Sequence, residues 1–160
     1  MTKTEEANST KKLPPYFYIV NVEAAVVKDG KYLMIVRSAQ ETHAPGTLTF
    51  PGGKVENVRQ QDDVLEKTLQ REVMEETGIT IKPEVHYVES QAFEVDDKDP
   101  VVDMVFLCRY QSGEASVNDP AEVDRVLWLT YQEILDHPKS PSWTCASIEN
   151  VEKLRLNLGW

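Results

Sequence analysis

The sequence predicts an α/β fold with helices on both faces of a mixed β-sheet, and three patterns predict it. From Phe17 to Val27 apolar residues alternate, with Tyr18, Val20, Val22, Ala24 and Val26 on one side, the two-residue period of a strand. In the middle of the chain Leu65, Leu69 and Val73 recur at i, i+4 and i+8, the core-facing stripe of a helix, and Gly78 stands where that helix would end. From Val101 to Tyr110 the chain is apolar on both faces apart from Asp103 and, near its end, Arg109, which marks a central strand covered from both sides.

Residues 1–13 are polar and offer almost nothing to bury, so they read as a mobile tail ended by Pro14-Pro15. This divides the chain into a tail over 1–15 and one domain over 16–160, without repeats. After the first strand, Asp29-Gly30 is a hairpin signal, and Lys31 to Arg37 is the return strand. Ser38 to Pro45 is a polar loop in which His43 reads as a solvated residue. Gly46 to Phe50 leads into a Pro51-Gly52-Gly53 turn, and Lys54 to Asp62 is a long loop. Asp62-Asp63 open the helix, and the spacing of Asp63 and Glu66 predicts a capping box with Asp63 as the cap. Beyond the helix, Val85 to Val95 reads as a strand, Asp96 to Pro100 as a turn and Gln111 to Pro120 as a loop. Glu122 to Thr130 is a further strand, and Tyr131 to Asp136 a short helix. Ser142 to Leu158 is a closing helix, with Ile148, Val151, Leu154 and Leu158 at helical spacing. Trp143 and Trp160 read as packing or surface aromatics.

At 160 residues the chain suits one domain burying roughly 70% of its unfolded surface. A net charge of −10 argues against a partner of duplex nucleic acid. It also makes an anionic substrate awkward unless a metal offsets the local field. Cys108 and Cys145 read as core or helix residues, not a disulfide framework. Neither a signal peptide nor a membrane-spanning apolar run is evident, so the expected compartment is the cytosol.

The chemistry concentrates in Arg71-Glu72-Val73-Met74-Glu75-Glu76-Thr77-Gly78. On a helix Glu72, Glu75 and Glu76 are related by i+3 and i+4 and share a face. Glu72 lies one heptad beyond Leu65 and Glu76 one beyond Leu69, so the carboxylates continue the line the leucines begin. Partly buried like charges are costly unless paired or bound to metal, and a hard cation such as Mg²⁺ takes oxygen ligands and bridges to phosphate. A bare acidic cluster usually faces water. Here Arg71 adds a fixed cation beside it, and Gly52 and Gly53 allow close backbone approach upstream.

These residues resemble the Nudix box of the Nudix hydrolases, G-x5-E-x7-R-E-U-x-E-E-x-G-U, where U is a bulky aliphatic residue. Gly53 matches the first glycine, and Arg71, Glu72, Val73, Glu75, Glu76, Gly78 and Ile79 match the second half. The middle departs: the first glutamate of the box falls on Asp63, and nine residues rather than five separate it from Gly53. A tryptophan common in relatives is Leu48 here, which puts base stacking from that position in doubt.

The resemblance implies a Nudix α/β/α sandwich over roughly Phe17 to Leu158 and hydrolysis of a nucleoside diphosphate linked to another group. It implies Mg²⁺, with Mn²⁺ as an alternative, held by Glu72, Glu75 and Glu76 with the Gly53 carbonyl. Arg71 would orient the acids, and Arg37, Phe50 and Gly52 would meet substrate. The general base is open among Glu72, Glu94, Asp97, Asp99 and Glu122. The expected partner is a small-molecule nucleotide, with no membrane and with a homodimer compatible. The runner-up is a module of the same fold that binds a nucleotide metabolite without cleaving it. The substrate is not written in the box.

Overall fold

The computed structural model of the protein describes residues 17–56, 59–95 and 99–160. The expected tail over 1–15, the candidate base Asp97 and most of the expected turn at 96–100 lie outside the described residues. Among those described, seven strands form one sheet: β1 (Ile19–Lys28), β2 (Lys31–Arg37), β3 (Leu48–Thr49), β4 (Gly52–Lys54), β5 (Thr80–Val95), β6 (Asp99–Ser112) and β7 (Val123–Thr130). The helices are α1 (Val64–Thr77), α2 (Tyr131–Asp136) and α3 (Ser142–Leu158).

β1 runs parallel to β6, register Ile19↔Val101 through Val27↔Arg109, and β5 lies antiparallel outside β6. The β1–β2 hairpin turns at Asp29 and Gly30, with φ of 49° and 74°, the left-handed pair that a two-residue turn needs. Its ladder is brief, Val27↔Tyr32 and Lys28↔Lys31, after which the strands fork. β7 pairs along β2, while β4 fills the fork on the β1 side and β3 on the β2 side.

The alternation in β1 feeds two cores. Val22, Ala24 and Val26 pack with Leu69, Val73, Ile79 and Phe106 beneath α1. Ala25 and Val27 pack with Tyr32, Met34, Leu48, Phe50, Leu107, Ile134, Ile148 and Val151 beneath α2 and α3. Helices thus cover both faces of a mixed sheet, as the pattern predicts. Cys108 is buried, Cys145 sits on α3, and both are free.

Several expectations need correction. Gly52-Gly53 belongs to a strand and not to a turn, because β1 offers it a ladder at Val22 and Glu23. β5 begins at Thr80, earlier than the apolar run suggests. Pro83 has no N–H to give the ladder, and the pairing is interrupted between Ile81 and Val85. Tyr18, placed with the inward residues, is 50% exposed because it precedes the paired part of β1. Asp63 occupies the N-cap position of α1 but does not cap it. Its backbone is left-handed (φ 54°, ψ 43°), whereas a capping residue is extended, and its side chain makes no cap hydrogen bond. Gly78 does close α1, at φ 72°, with its N–H donating to the Met74 carbonyl.

Candidate active site

The fork between β1 and β2 determines the site. β4 lies in it, and the close fit of Gly52 against β1 is steric: a Cβ there would overlap the Val22 carbonyl. A Cβ on Gly53 would overlap the Glu72 carboxyl. The two glycines therefore let the C-terminal half of α1 reach through the fork to the cavity on the α3 side. That cavity has a volume of about 330 Å³, and Glu72, Glu76, Gly52, Gly53, Phe50 and Arg37 all border it.

Each acid has a different setting. Glu76 is 4% exposed and accepts from the Gly52 N–H at 2.9 Å. Burial, with Glu72 and Glu122 adding repulsion, pushes its carboxyl up to about 8, against the pull of that N–H. Glu72 is 8% exposed; burial raises its carboxyl, while Arg71 opposes the shift. Glu75, expected to share their face, has a 55% exposed side chain and does not border the cavity. The i+3 relation keeps it beside Glu72, but the rotation carries it off the buried stripe.

Arg71 ties these groups together from outside the cavity. It ion-pairs with Glu72 at 2.7 Å and Glu75 at 2.9 Å and donates to the Lys54 carbonyl at 3.2 Å. Arg37 enters from the end of β2. Its Nε donates to the His43 carbonyl and its Nη2 to Glu41, both at 3.0 Å.

Of the candidate bases, Glu72, Asp99 and Glu122 border the cavity, whereas Glu94 is exposed and does not. Burial raises Glu122, with Asp119 and Glu41 adding repulsion. Leu48 is fully buried in the core, so it offers no face to a base. Trp143, at the start of α3, is 49% exposed and borders the cavity.

The spacing argument missed Asn21, Glu23 and Thr49. Glu23 accepts from the Thr49 hydroxyl at 3.1 Å, and burial with Asp103 nearby holds its carboxyl well above the ordinary range. A signal was present: on the side of β1 opposite Val22, the series Asn21, Glu23, Ala25, Val27 begins polar and ends apolar.

An α/β/α sandwich with buried helix carboxylates opening onto a cavity is an arrangement suited to an enzyme. The NUDIX domain model matches residues 18–145, so the chain belongs to the Nudix family and is a hydrolase acting on pyrophosphate bonds. It is 30% identical over 134 residues to a MutT-like protein of Streptomyces ambofaciens, an alignment covering 84% of this chain and 75% of that one. It is 33% identical over 111 residues to the NAD-capped RNA hydrolase NudC of Escherichia coli, covering 69% of this chain but only 38% of NudC. A MutT NUDIX hydrolase structure from Burkholderia pseudomallei superposes with a TM-score of 0.70 at 26% identity, covering 84% of this chain and 98% of that one.

Nudix hydrolases generally use a divalent metal. Among the described residues, no three His, Cys, Asp or Glu side chains stand ready-grouped around a metal position. Arg71 engages Glu72 and Glu75, and the Gly52 N–H engages Glu76. The donor set nevertheless fits a hard cation. It consists of carboxylate oxygens, a glycine keeps room beside one of them, and burial leaves Glu76 without an ion-pair partner among the described residues.

Proposed function

We propose that the protein is a divalent-metal-dependent pyrophosphohydrolase that cleaves a nucleotide or nucleotide derivative in which a nucleoside diphosphate carries another group. The observation that carries this reading is the burial of Glu72 and Glu76 against Gly52-Gly53 at the wall of a cavity that Arg37 also borders. Mg²⁺ or Mn²⁺ held by Glu72 and Glu76, with Glu75 and the Gly53 carbonyl completing the set, would neutralise phosphate charge and acidify a bound water.

The chain's own residues do the remaining work. Arg71 fixes the orientation of Glu72 through a charge-assisted bond and does not touch substrate. Arg37, steadied by Glu41 and the His43 carbonyl, presents its guanidinium to phosphate oxygens. That Glu72, Asp99 and Glu122 border the cavity supports one of them as the group that takes the proton of the attacking water. Positioning and charge stabilisation supply most of the rate enhancement. The relationship to NudC, a hydrolase of NAD-capped RNA, supports a nucleotide derivative as substrate.

The test is a panel of nucleoside triphosphates, nucleotide sugars, ADP-ribose and dinucleoside polyphosphates, incubated with Mg²⁺ or Mn²⁺ and resolved by chromatography. Metal-dependent cleavage of a pyrophosphate link is the expected result. Binding of these compounds without any turnover would instead establish a binding module.

A further inference from the structure

Arg37, Arg71, Arg109 and Arg155 each ion-pair with a glutamate. The buried Asp103 accepts hydrogen bonds from Asn21, its register partner on β1, and from Gln91, its partner on β5. Arg125 on β7 and Lys139 in the loop after α2 differ. Both are exposed, and among the described residues neither forms an ion pair with an acid. In a chain of net charge −10, cations left without an acid make a local field opposite in sign to that of the whole molecule.

The sheet and this loop bring the two cations to one histidine. Arg125 pairs in register with Val36, and alternation puts it on the face of Leu127 and Leu129, the side covered by α2 and α3. Leu48 pairs with the same Val36 and gives its N–H to the Lys139 carbonyl at 2.8 Å. The loop holds itself: the Ser140 N–H donates to the His137 carbonyl at 2.9 Å, and the Ser140 hydroxyl to the Ile134 carbonyl. The Lys139 N–H donates to Nδ1 of His137 at 3.1 Å, which leaves the ring proton on Nε2. Burial, with Arg125 and then Lys139 repelling a further proton, holds the imidazole below its ordinary range. Asp136, the neighbouring acid, is engaged by the Gln132 side chain at 2.9 Å. What the cluster presents is a guanidinium fork, an ammonium and one imidazole N–H, all donors. Phosphate oxygens are all acceptors and match it. The cluster stands outside the active-site cavity but close to its rim. None of the three residues borders the cavity, whereas Trp143 does, and Thr144, which also does, donates to the carbonyl of Leu48 at 2.8 Å.

We propose that Arg125, His137 and Lys139 form a phosphate site outside the cavity that takes a chain of phosphates. Two sources carry that chemistry: a free polyphosphate, and the outer phosphates of a nucleotide derivative whose other end lies in the cavity. The site needs neither metal nor turnover, so it stands apart from the hydrolase reading.

The test is a titration of the full chain with sodium tripolyphosphate in EDTA, followed by amide proton–nitrogen correlation spectra. Saturable shifts at the amides of Arg125, His137 and Lys139 are expected. The double variant Arg125→Gln with Lys139→Gln changes two exposed positions and is expected to bind about tenfold more weakly or worse. Should it fail to give a cooperative melt, Lys139→Gln alone is read, with weakening in the same direction expected. A second titration, in Mg²⁺, uses methylene-bridged diadenosine tetraphosphate, which resists cleavage. Shifts at both Gly53 and Lys139, with about tenfold weaker binding by the double variant, assign the site to an extended substrate. Shifts at Gly53 alone, beside tripolyphosphate binding at the cluster, assign it to a free polyphosphate. Absence of tripolyphosphate shifts at the cluster, or equal binding by the folded variant, overturns the site. Binding at the cluster of a protein that cleaves nothing in the panel keeps the site and removes the hydrolase reading. Cleavage without binding at the cluster does the reverse.

Discussion

The two ends of α1 are built differently. At its N-terminus Asp63 is left-handed and uncapped, and the long loop from β4 precedes it. At its C-terminus Gly78 turns the chain, and the segment after β6 closes over the helix. Ser116 N–H donates to the Thr77 carbonyl at 3.0 Å, Asn118 N–H to Glu76 at 3.2 Å, and the Asn118 side chain to Met74 at 3.2 Å. The last carbonyls of a helix have no partner within it, so these bonds satisfy groups otherwise left open. Glu72 and Glu76 belong to the well-held half. Gly53, across from them, is held by the β1 ladder rather than by the loop. The lesson is that the C-terminal half of α1 and the β1–β4 ladder hold the carboxylates and Gly53, while the loop departing from the family pattern borders the cavity through Glu56, so a change in its length is expected to leave the carboxylates in place.

The largest expected effect is at Glu76. Glu76→Gln should reduce kcat/KM on the order of 10³-fold while the metal-free fold survives, and Glu75→Gln, at an exposed position, should cost less. Steady-state kinetics on one substrate ranks the two, and equal losses would contradict the assignment of the buried acid as the central one.

The same residue governs a pH effect. Its carboxyl titrates at about 8 in the folded protein against an ordinary value of 4.5. Between those values the folded state holds a proton that the unfolded state has lost, so stability falls as pH rises from about 5 to 8. Thermal melts in EDTA should show this slope in wild type and a flatter one in Glu76→Gln. A wild-type slope in the variant would place the proton elsewhere.

Arg71→Ala comes next. Arg71 ion-pairs with Glu72 and does not border the cavity, and loss of such a support is expected to cost about 10–100-fold in activity. Arg37→Ala should cost less, as one phosphate contact among several. A larger loss at Arg37 reverses the order.

The ends of α1 can then be compared through stability. Asn118→Ala should destabilise by about 1 kcal/mol, the worth of its bond to the helix end. Asp63→Gly should be neutral or slightly stabilising, because it relieves a left-handed backbone and loses no cap bond. Chemical denaturation measures both, and a destabilising Asp63→Gly would mean that the side chain does cap the helix.

What the sequence made legible follows the same division. Lys31–Arg37, Tyr131–Asp136 and Ser142–Leu158 read with their observed bounds, because hydrophobic period, turn residues and length agree there. Glu72 and Glu76 were legible because spacing along one helix fixes their relative placement, whereas Glu75, expected on the same face, is rotated out to solvent. β3 and β4 were not. Their two and three residues carry no periodicity and are strands only because β1 and β2 fork. The grouping of Asn21, Gln91 and Asp103 was equally hidden, since it depends on the parallel register of β1 and β6 and the antiparallel register of β6 and β5.

The smallest expected effect gives the most direct test of the central claim. Deleting Arg59 to Asp62 shortens the loop, and loop-closure entropy makes the change worth only about 0.5 kcal/mol. The measurement is metal-dependent kcat/KM of the deletion variant and of Glu76→Gln, side by side on the same substrate. The account predicts that the deletion stays within about threefold of wild type while Glu76→Gln falls on the order of 10³-fold. A deletion variant as impaired as Glu76→Gln would contradict it, as would a deletion that creates turnover in a protein having none.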